Sequence, residues 1–379
     1  MNEPTKRALS VFLLVFLVRI GAAVVSVYTG QNPYAQADIV GFVATAEEIG
    51  AGLRRGEYVI AHSSSTYQRW GTFLAPFWLL PGPSLLYASV ANAFVGSLAI
   101  YNVYIIARYY HSHYAGVLTI VPLAMYPSYL MAHAVPIREA IVLFGITLVA
   151  RVLLVPYNQS RLWVVVAVVL GLTVATLHRP SNLPLYVTGI GVGFLVYLYQ
   201  RNRLGKHHLY PGAGIAILTT FLLRDRIRET IEYLAWLREV RARGRTAYLV
   251  EIFPTTLPEL IAFSWIGAGY FLFSPFPWMV ETVSDFLVSL EGLIALVAVF
   301  ATPLGIRYVA RQNPAGTIGL LVGFLLAVVL YGYGTANVGT AVRHRQMFLW
   351  VIFLFAAIGI ANSIRVEYTH PEENAQKYD

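Results

Sequence analysis

Asp38 stands at the start of a stretch with helical spacing, and its carboxylate could take part in chemistry. The stretch, residues 32–58, reads NPYAQADIVGFVATAEEIGAGLRRGEY. On a helix that begins at Asp38, one face is apolar and carries Ile39, Phe42, Val43, Ala46, Ile49 and Leu53. The carboxylate could cap the free backbone N–H groups of that helix. It could also accept a proton from a substrate hydroxyl as a general base, and the sequence leaves both roles open.

Arginine and histidine recur in three later stretches that lie between apolar runs. Arginine suits phosphate because its planar guanidinium offers several donors, and histidine can transfer a proton near neutral pH. The candidate phosphate ligands are Arg138, Arg179, Arg343 and Arg345, and the candidate acids, bases or donors are His178 and His344. Each also has a structural alternative, such as an ion pair at a helix start or an arginine that reaches the lipid headgroups.

Three further carboxylates could support this chemistry: Glu47, Glu48 and Glu139. Asp38 with Glu47 or Glu48 could hold a divalent cation through oxygen ligands, although one isolated carboxylate favours this less, and no other cofactor is expected. The sequence contains no HExxH, no phosphate-binding glycine loop and no GxSxG. It also contains no cysteine, which excludes disulfides and thiolate metal sites.

The composition predicts an all-α integral membrane protein. Of 379 residues, 57% are hydrophobic and 12% are charged, and the mean hydropathy is +0.62. Soluble domains carry about 25% charged residues. The net charge of +8 is explained by topology and by attraction to anionic lipids. We therefore expect membrane lipids as partners and no nucleic acid.

The apolar runs predict about ten spanning helices, since a bilayer core needs roughly 17–25 residues per helix. The predicted spans are 8–28, 84–107, 115–132, 138–156, 162–178, 183–199, 210–223, 282–304, 315–334 and 346–363. In this count the short basic loops fall on one side, which favours a multi-pass protein of the cell membrane with both termini in the cytoplasm. The expected organisation is one membrane domain (1–365), a first outer loop with an interfacial helix (29–83), a second outer segment (224–281) and a polar cytoplasmic tail (366–379).

The second outer segment has two parts. Its first part has an apolar stripe typical of a helix on the membrane surface, formed by Ile227, Ile231, Leu234, Leu237 and Val240. Seven arginines between residues 224 and 245 strain the positive-inside rule. The second part, residues 260–278, is predicted to be re-entrant or interfacial, because the prolines near its end stop a helix.

The order of these features resembles the GT-C glycosyltransferases, and in particular the dolichyl-phosphate-mannose and aminoarabinose transferases. Those proteins have an acidic residue in the first outer loop, followed by a juxtamembrane helix of the form D…Y/F…A…I..G. The matching residues here are Asp38, Phe42, Ala46, Ile49 and Gly52. The run LTIVPLAMYPSYLMAHAVPIREAIVLFGITL is similar to the third and fourth spans of the family, with Glu139 as its acidic residue.

The resemblance covers residues 8 to about 155 and departs from the family in having a single aspartate where many relatives have an acidic pair. Later segments, RTAYL, FLFSPFPW and NVGTAVRHRQMF, are similar to polymerase-like membrane proteins of surface-polysaccharide synthesis.

The resemblance implies a membrane enzyme that moves a sugar from a dolichyl- or undecaprenyl-type phosphate carrier to a glycan, lipid or protein acceptor at the outer face. Asp38 would be the general base, and the arginines would bind the phosphate of the carrier. Two alternatives stay open. One is a repeat-unit polymerase or ligase that uses the outer-face arginines and histidines, and the other is a non-enzymatic transporter of a lipid-linked glycan.

Overall fold

The computed structural model describes residues 3–33, 38–62, 64–155, 160–203 and 224–364. This part of the chain is all-helical and contains no strand, which confirms the predicted fold class at that level. The predicted span at 210–223 and the predicted tail at 366–379 lie outside the described residues.

The α-helices, numbered in chain order, begin and end as follows: α1 Glu3–Thr29, α2 Asp38–Arg54, α3 Ser65–Leu74, α4 Ser84–Tyr110, α5 His113–Met125, α6 Pro127–His133, α7 Glu139–Leu154, α8 Arg161–His178, α9 Leu183–Gln200, α10 Arg224–Arg241, α11 Leu257–Phe273, α12 Val283–Gln312, α13 Pro314–Gly334, α14 Val338–Arg345 and α15 Trp350–Ser363. Short 3-10 turns lie at Ala75–Leu79, Pro180–Asn182 and Pro277–Met279.

Each predicted span that falls on described residues coincides with one helix or one bent helix pair. Among the residues that the structure describes, five helices are long and apolar enough to cross a membrane, namely Lys6–Thr29, Ser84–Tyr110, Pro180–Gln200, Val283–Gln312 and Pro314–Gly334. The number rises to seven if the pairs α5–α6, bent by 68°, and α14–α15, bent by 59°, each count as one span. Five to seven candidate spans are therefore supported, and the predicted ten are not confirmed.

The helices are arranged around α4 and α15. Helix α4 packs against α1, α5 and α7, while α15 packs against α5 and α12. Nearly every residue of α15 is buried, as expected for a helix that is apolar on all sides. Helix α13 packs along α9 and is crossed near its end by α11. This core fixes the helix ends that form the site described below.

Glycine allows the closest of these helix contacts. A methyl group built on Gly305 of α12 would overlap the carbonyl oxygen of Phe355 on α15, and one on Gly359 would lie 2.6 Å from the carbonyl oxygen of Ala301. In membranes small residues allow helix backbones to approach in this way.

We expect Gly305→Ala to lower the thermal stability of the purified protein, because the added methyl group must separate α12 from α15. Overpacking of this kind costs roughly 1–3 kcal/mol. Gly191→Ala on α9 is the matched control, since a methyl group there meets nothing within 4 Å. An equal melting temperature for the two variants in detergent would contradict the close contact between Gly305 and Phe355.

Helix α2 is amphipathic as predicted, but its face packs against protein. Ile39, Phe42, Ala46 and Ile49 are buried, and they contact α3 and the 3-10 turn that follows it. Leu53 was expected on the same face but is 38% exposed. The packed platform of α2 and α3 holds the start of α2 in one position.

Helix α10 differs from the expected surface stripe. Its buried positions are Ile231, Ala235 and Arg238, so an arginine occupies the inner face, while Val240 is 38% exposed. The face packs on the end of α13 and on α11. Helix α10 therefore packs against protein along this face, beside the C-terminal end of α13.

Candidate functional site

A cavity of about 1350 Å³ lies where the start of α2 and residues 234–246 meet the ends of the core helices. Its lining includes the first residue of α2, the residue before α7, and first-turn residues of α12 and α14: Asp38, Arg138, Ser284, Asp285, Val338, Gly339 and Thr340. Helix N-termini carry partial positive charge and favour anions. The helix N-termini in the lining thus favour a negatively charged group, whereas the end of α13, which also lines the cavity, opposes it.

Asp38 is held at the edge of the cavity by two other segments. Tyr67 of α3 donates to Asp38 Oδ1 at 2.7 Å, and Arg343 Nη1 donates to Asp38 Oδ2 at 2.5 Å. The Asp38 side chain is 35% exposed and that of Arg343 is 17% exposed. Both oxygens of the carboxylate are therefore engaged, while one side remains open to the cavity.

Glu139, at the start of α7, joins two of the predicted arginines. Its Oε1 accepts from Arg343 Nε at 2.8 Å and from Arg179 Nη2, and its side chain is completely buried. A buried carboxylate is stable only when paired in this way. Glu139 thus fixes Arg179, which follows α8, and Arg343 of α14 beside Asp38.

Arg138 completes this group. Its guanidinium lies 5.8 Å above the ring of Phe42 and donates to the carbonyl of His178 at 3.4 Å. Within the described part of the chain, four buried guanidinium nitrogens have no hydrogen-bond partner, and three of them belong to this group: Arg138 Nε, Arg179 Nε and Arg343 Nη2. Buried polar groups normally have a partner, so these donors mark a place where a ligand could bind.

A second group of arginines lines the same cavity. Arg241 ends α10, and Arg243 and Arg245 follow in the next loop. Arg245 is paired with Asp285 at 2.8 and 3.1 Å and with Glu281 at 3.0 Å. Six arginines and two aspartates line the cavity in total. Even with buried Glu139 included, the balance is positive.

The other predicted site residues lie in different surroundings. His344 lines the cavity, and its ring lies 5.1 Å from that of Tyr331. His178 is not part of the lining, because its ring packs against Trp70 at 4.8 Å. Glu47 and Glu48 are exposed on α2 and do not line the cavity. Among the residues described, no group of three His, Asp or Glu side chains could hold a metal ion.

Arg345 lies apart from the cavity lining and has a structural environment. It is 1% exposed, donates to the carbonyls of Leu272 at 3.0 Å and Ser274 at 2.5 Å, and lies 3.9 Å from Glu291. These contacts fix the end of α14 against the end of α11. Phosphate binding by Arg345 would require it to leave these partners.

The surroundings of Asp38 lower its pKa. Burial alone would raise the pKa of this carboxyl, but the hydrogen bond from Tyr67 and the charge of Arg343 outweigh it. The same hydrogen bond raises the pKa of Tyr67. A group with a depressed pKa stabilises the fold at pH values above its unfolded pKa, about 4 for aspartate, and this stabilisation is lost as the pH falls further.

We therefore expect Tyr67→Phe to be less stable than the unaltered protein at neutral pH and to lose less of its stability as the pH falls below about 4. Without the hydroxyl the pKa of Asp38 moves back toward its ordinary value, so less stability is lost as the pH falls below about 4 and less is present above it. Melting temperatures between pH 3 and pH 7 measure the effect. Tyr58→Phe, which removes an exposed hydroxyl that bonds to Thr72 of α3, is the control. Identical pH profiles for the two variants would rule out the bond between Tyr67 and Asp38.

Several residues that line the cavity or contact Asp38 were not predicted. Tyr67 gave no signal, because it is 29 residues from Asp38 and adjoins it only in the fold. Arg241, Arg243 and Arg245 belong to the excess of arginine between residues 224 and 245, and that excess is the signal that the sequence offers for them. Comparison of the chain with protein-family models, curated proteins and solved structures gave no match in any of the three.

Proposed function

We propose that this chain is a membrane glycosyltransferase of GT-C type that transfers a sugar from a polyprenyl-phosphate-linked donor to an acceptor hydroxyl at the outer face. The observation that carries the proposal is that Asp38 shares one cavity with Arg138, Arg179 and Arg343. These residues come from four separate segments of an all-helical, apolar protein. They place a carboxylate beside several guanidinium groups that can donate hydrogen bonds to a phosphate. The proposal also includes ten membrane spans and the location of both termini in the cytoplasm.

The reaction assigns a role to each group. The acceptor oxygen forms a bond to the anomeric carbon of the sugar while its proton passes to Asp38. The bond between that carbon and the phosphate oxygen breaks, and the phosphate leaves with the electron pair. Arg138, Arg179 and Arg343 neutralise the charge that develops on the leaving group. Attack opposite the phosphate inverts the anomeric centre.

Arg343 couples donor binding to the basicity of Asp38. In the ligand-free protein its guanidinium is shared between Asp38 and Glu139, with Nη2 unpartnered. A donor phosphate competes with Asp38 for this side chain, while Glu139 still holds Nε. Once Arg343 bonds to phosphate, Asp38 loses a charge that lowers its pKa and becomes a better base. The base is thus activated only when a donor is present.

An apolar hollow offers space for the lipid part of the donor. It measures about 400 Å³ and lies between α7, α9, α13 and α15. Tyr331 of the arginine-lined cavity connects it to this hollow. The ring of Tyr331 lies 5.2 Å from that of Phe348, which lines the hollow. The hydroxyl of Tyr331 also donates to Asn182, and Asn182 donates to Tyr186, which lines the hollow as well. An isoprenoid chain fits such an apolar lining.

A repeat-unit polymerase or ligase is the second candidate. It is favoured by the number of arginines in the cavity and by His344 among them. In that enzyme the arginines would bind a pyrophosphate-linked glycan and Asp38 would not be required. The two candidates differ in whether activity depends on the Asp38 carboxylate.

Release of free carrier tests the proposal, because every transfer from such a donor yields polyprenyl phosphate. Proteoliposomes with the purified chain would receive undecaprenyl-phosphate-linked hexoses and pentoses together with a membrane glycolipid extract as acceptor. Mass spectrometry would measure undecaprenyl phosphate. We expect release with the unaltered protein and at least about a hundredfold less with Arg343→Gln. Equal release from Arg343→Gln would overturn the proposal.

A further inference from the structure

The two arginine groups lie at opposite ends of α14. Arg343, in the last turn, donates to Asp38, whereas the backbone N–H of Val338, at the start, donates to the carbonyl of Thr246 at 3.0 Å. At a rise of 1.5 Å per residue these ends are about 7.5 Å apart along the helix axis. The cavity therefore has two separate regions of positive charge.

The second region is rigidly built. Gly244 has φ 87°, which lets the chain turn after Arg243. Asn337 Nδ2 donates to the carbonyl of Arg243 at 3.2 Å, and the N–H of Tyr248 donates to the carbonyl of Ala336 at 2.9 Å. The loop that carries these arginines is thereby joined to the start of α14. Their backbone is positioned before any ligand arrives.

The cations of the second region are not neutralised equally. Arg245 is paired with two carboxylates, and Arg241 donates only to the carbonyl of Gly334 at 3.3 Å. The side chain of Arg243 makes no hydrogen bond or ion pair with any residue that the structure describes, although it lines the cavity. Burial lowers the pKa of Arg241, and the charge of Arg179 lowers it further. An anion bound by Arg241 and Arg243 would stabilise the charged form of both side chains.

We infer that Arg241 and Arg243 bind a second phosphate group in the cavity, carried by the acceptor. The inference rests on the proposed function, in which Arg138, Arg179 and Arg343 bind the phosphate of the donor. One substrate would then place its phosphate at each end of α14, with the acceptor hydroxyl between them and near Asp38. The enzyme would select acceptors that bear a phosphate and discriminate against neutral glycans.

Native mass spectrometry of the full chain in phosphatidylcholine nanodiscs tests this assignment. The protein is first saturated with undecaprenyl phosphate and then titrated with short-chain phosphatidic acid or with inorganic phosphate. We expect the unaltered chain to bind one further phosphate-bearing molecule. For Arg243→Gln we expect the dissociation constant of that second molecule to be about tenfold higher. Arg226→Gln is the matched control, because it removes the same charge at the other end of α10, where Arg226 pairs with Glu229.

Each outcome bears on the inference. Equal second binding by the unaltered chain and Arg243→Gln overturns it, as does the absence of a second equivalent with both probes. Uptake of phosphatidic acid alone supports a lipid acceptor, and uptake of inorganic phosphate as well supports a phosphorylated acceptor in general. Failure of undecaprenyl phosphate to bind would instead contradict the proposed function. Titration without undecaprenyl phosphate would still compare Arg243→Gln with its control.

Discussion

Asp38→Asn should lower the rate of sugar transfer by roughly 10²–10⁴-fold, the usual contribution of a general base, while strengthening the binding of undecaprenyl phosphate. Asparagine keeps the shape of the side chain but cannot accept the proton of the acceptor. It also gives up the ion pair with Arg343, whose guanidinium then becomes available to the phosphate. Activity and affinity are therefore expected to change in opposite directions.

The expected gain in affinity follows from the partly exposed ion pair. Asp38 is 35% exposed, and pairs of this kind are worth up to about 1 kcal/mol, which corresponds to about fivefold in a dissociation constant. Binding would be measured by titrating undecaprenyl phosphate into nanodiscs, and transfer by release of free carrier.

Glu48→Gln is the control for Asp38→Asn. It removes one negative charge from the same helix, but Glu48 is exposed and does not line the cavity. Full activity of Asp38→Asn would exclude Asp38 as the general base and favour the polymerase candidate. Weaker phosphate binding by Asp38→Asn would show that Asp38 does not compete for Arg343.

Arg238→Met should destabilise the protein by roughly 3 kcal/mol, because a buried carbonyl left without a donor costs about 1–3 kcal/mol and several carbonyls would lose their donor together. Arg238 is fully buried, and its side chain donates to five backbone carbonyls, those of Tyr248, Leu249, Ile252, Tyr333 and Thr335. Its guanidinium also lies 4.8 Å from the ring of Phe263.

The physical reason lies at the end of α13. The last carbonyls of a helix lack partners within it and carry partial negative charge. Arg238 supplies donors to this end and to the loop that follows α10, so one side chain joins three segments. Methionine would keep the apolar stem but leave these carbonyls without the donors.

Thermal unfolding in detergent measures this effect, with Arg228→Met as the control on the same helix. Arg228 is exposed and pairs with Glu232 four residues later, an interaction worth about 0.3–0.5 kcal/mol. If the two variants unfold at the same temperature, the carbonyl contacts of Arg238 do not stabilise the fold.

Most helices could be predicted from the sequence because their signals are local. Long apolar runs predicted the positions of α1, α4, α12 and α13, and the spacing after Asp38 predicted α2. Membrane crossing could not be predicted in the same way for α8 and α11, because their apolar stretches, Leu162–His178 and Leu257–Phe273, are only 17 residues long. Length alone does not decide such cases.

The candidate site was predictable in part. Arginines at the turns between apolar runs indicated which side chains could meet, and the fold places Arg138, Arg179 and Arg343 together with Asp38. Partners such as Tyr67 could not be predicted, because pairing across 29 residues depends on how α3 folds back on α2. The buried position of Arg238 was also missed, since a charged residue on a helix is normally assigned to the outer face.

Arg343 is two residues from Arg345, which is fixed to the ends of neighbouring helices. The backbone that carries Arg343 is therefore immobilised on one side, and the loop bonded to Val338 immobilises it on the other. Exchange of Arg343 from Asp38 to a ligand then needs only rotation about side-chain bonds and no movement of the backbone. Ligand capture at this cavity should accordingly cost the polypeptide little entropy.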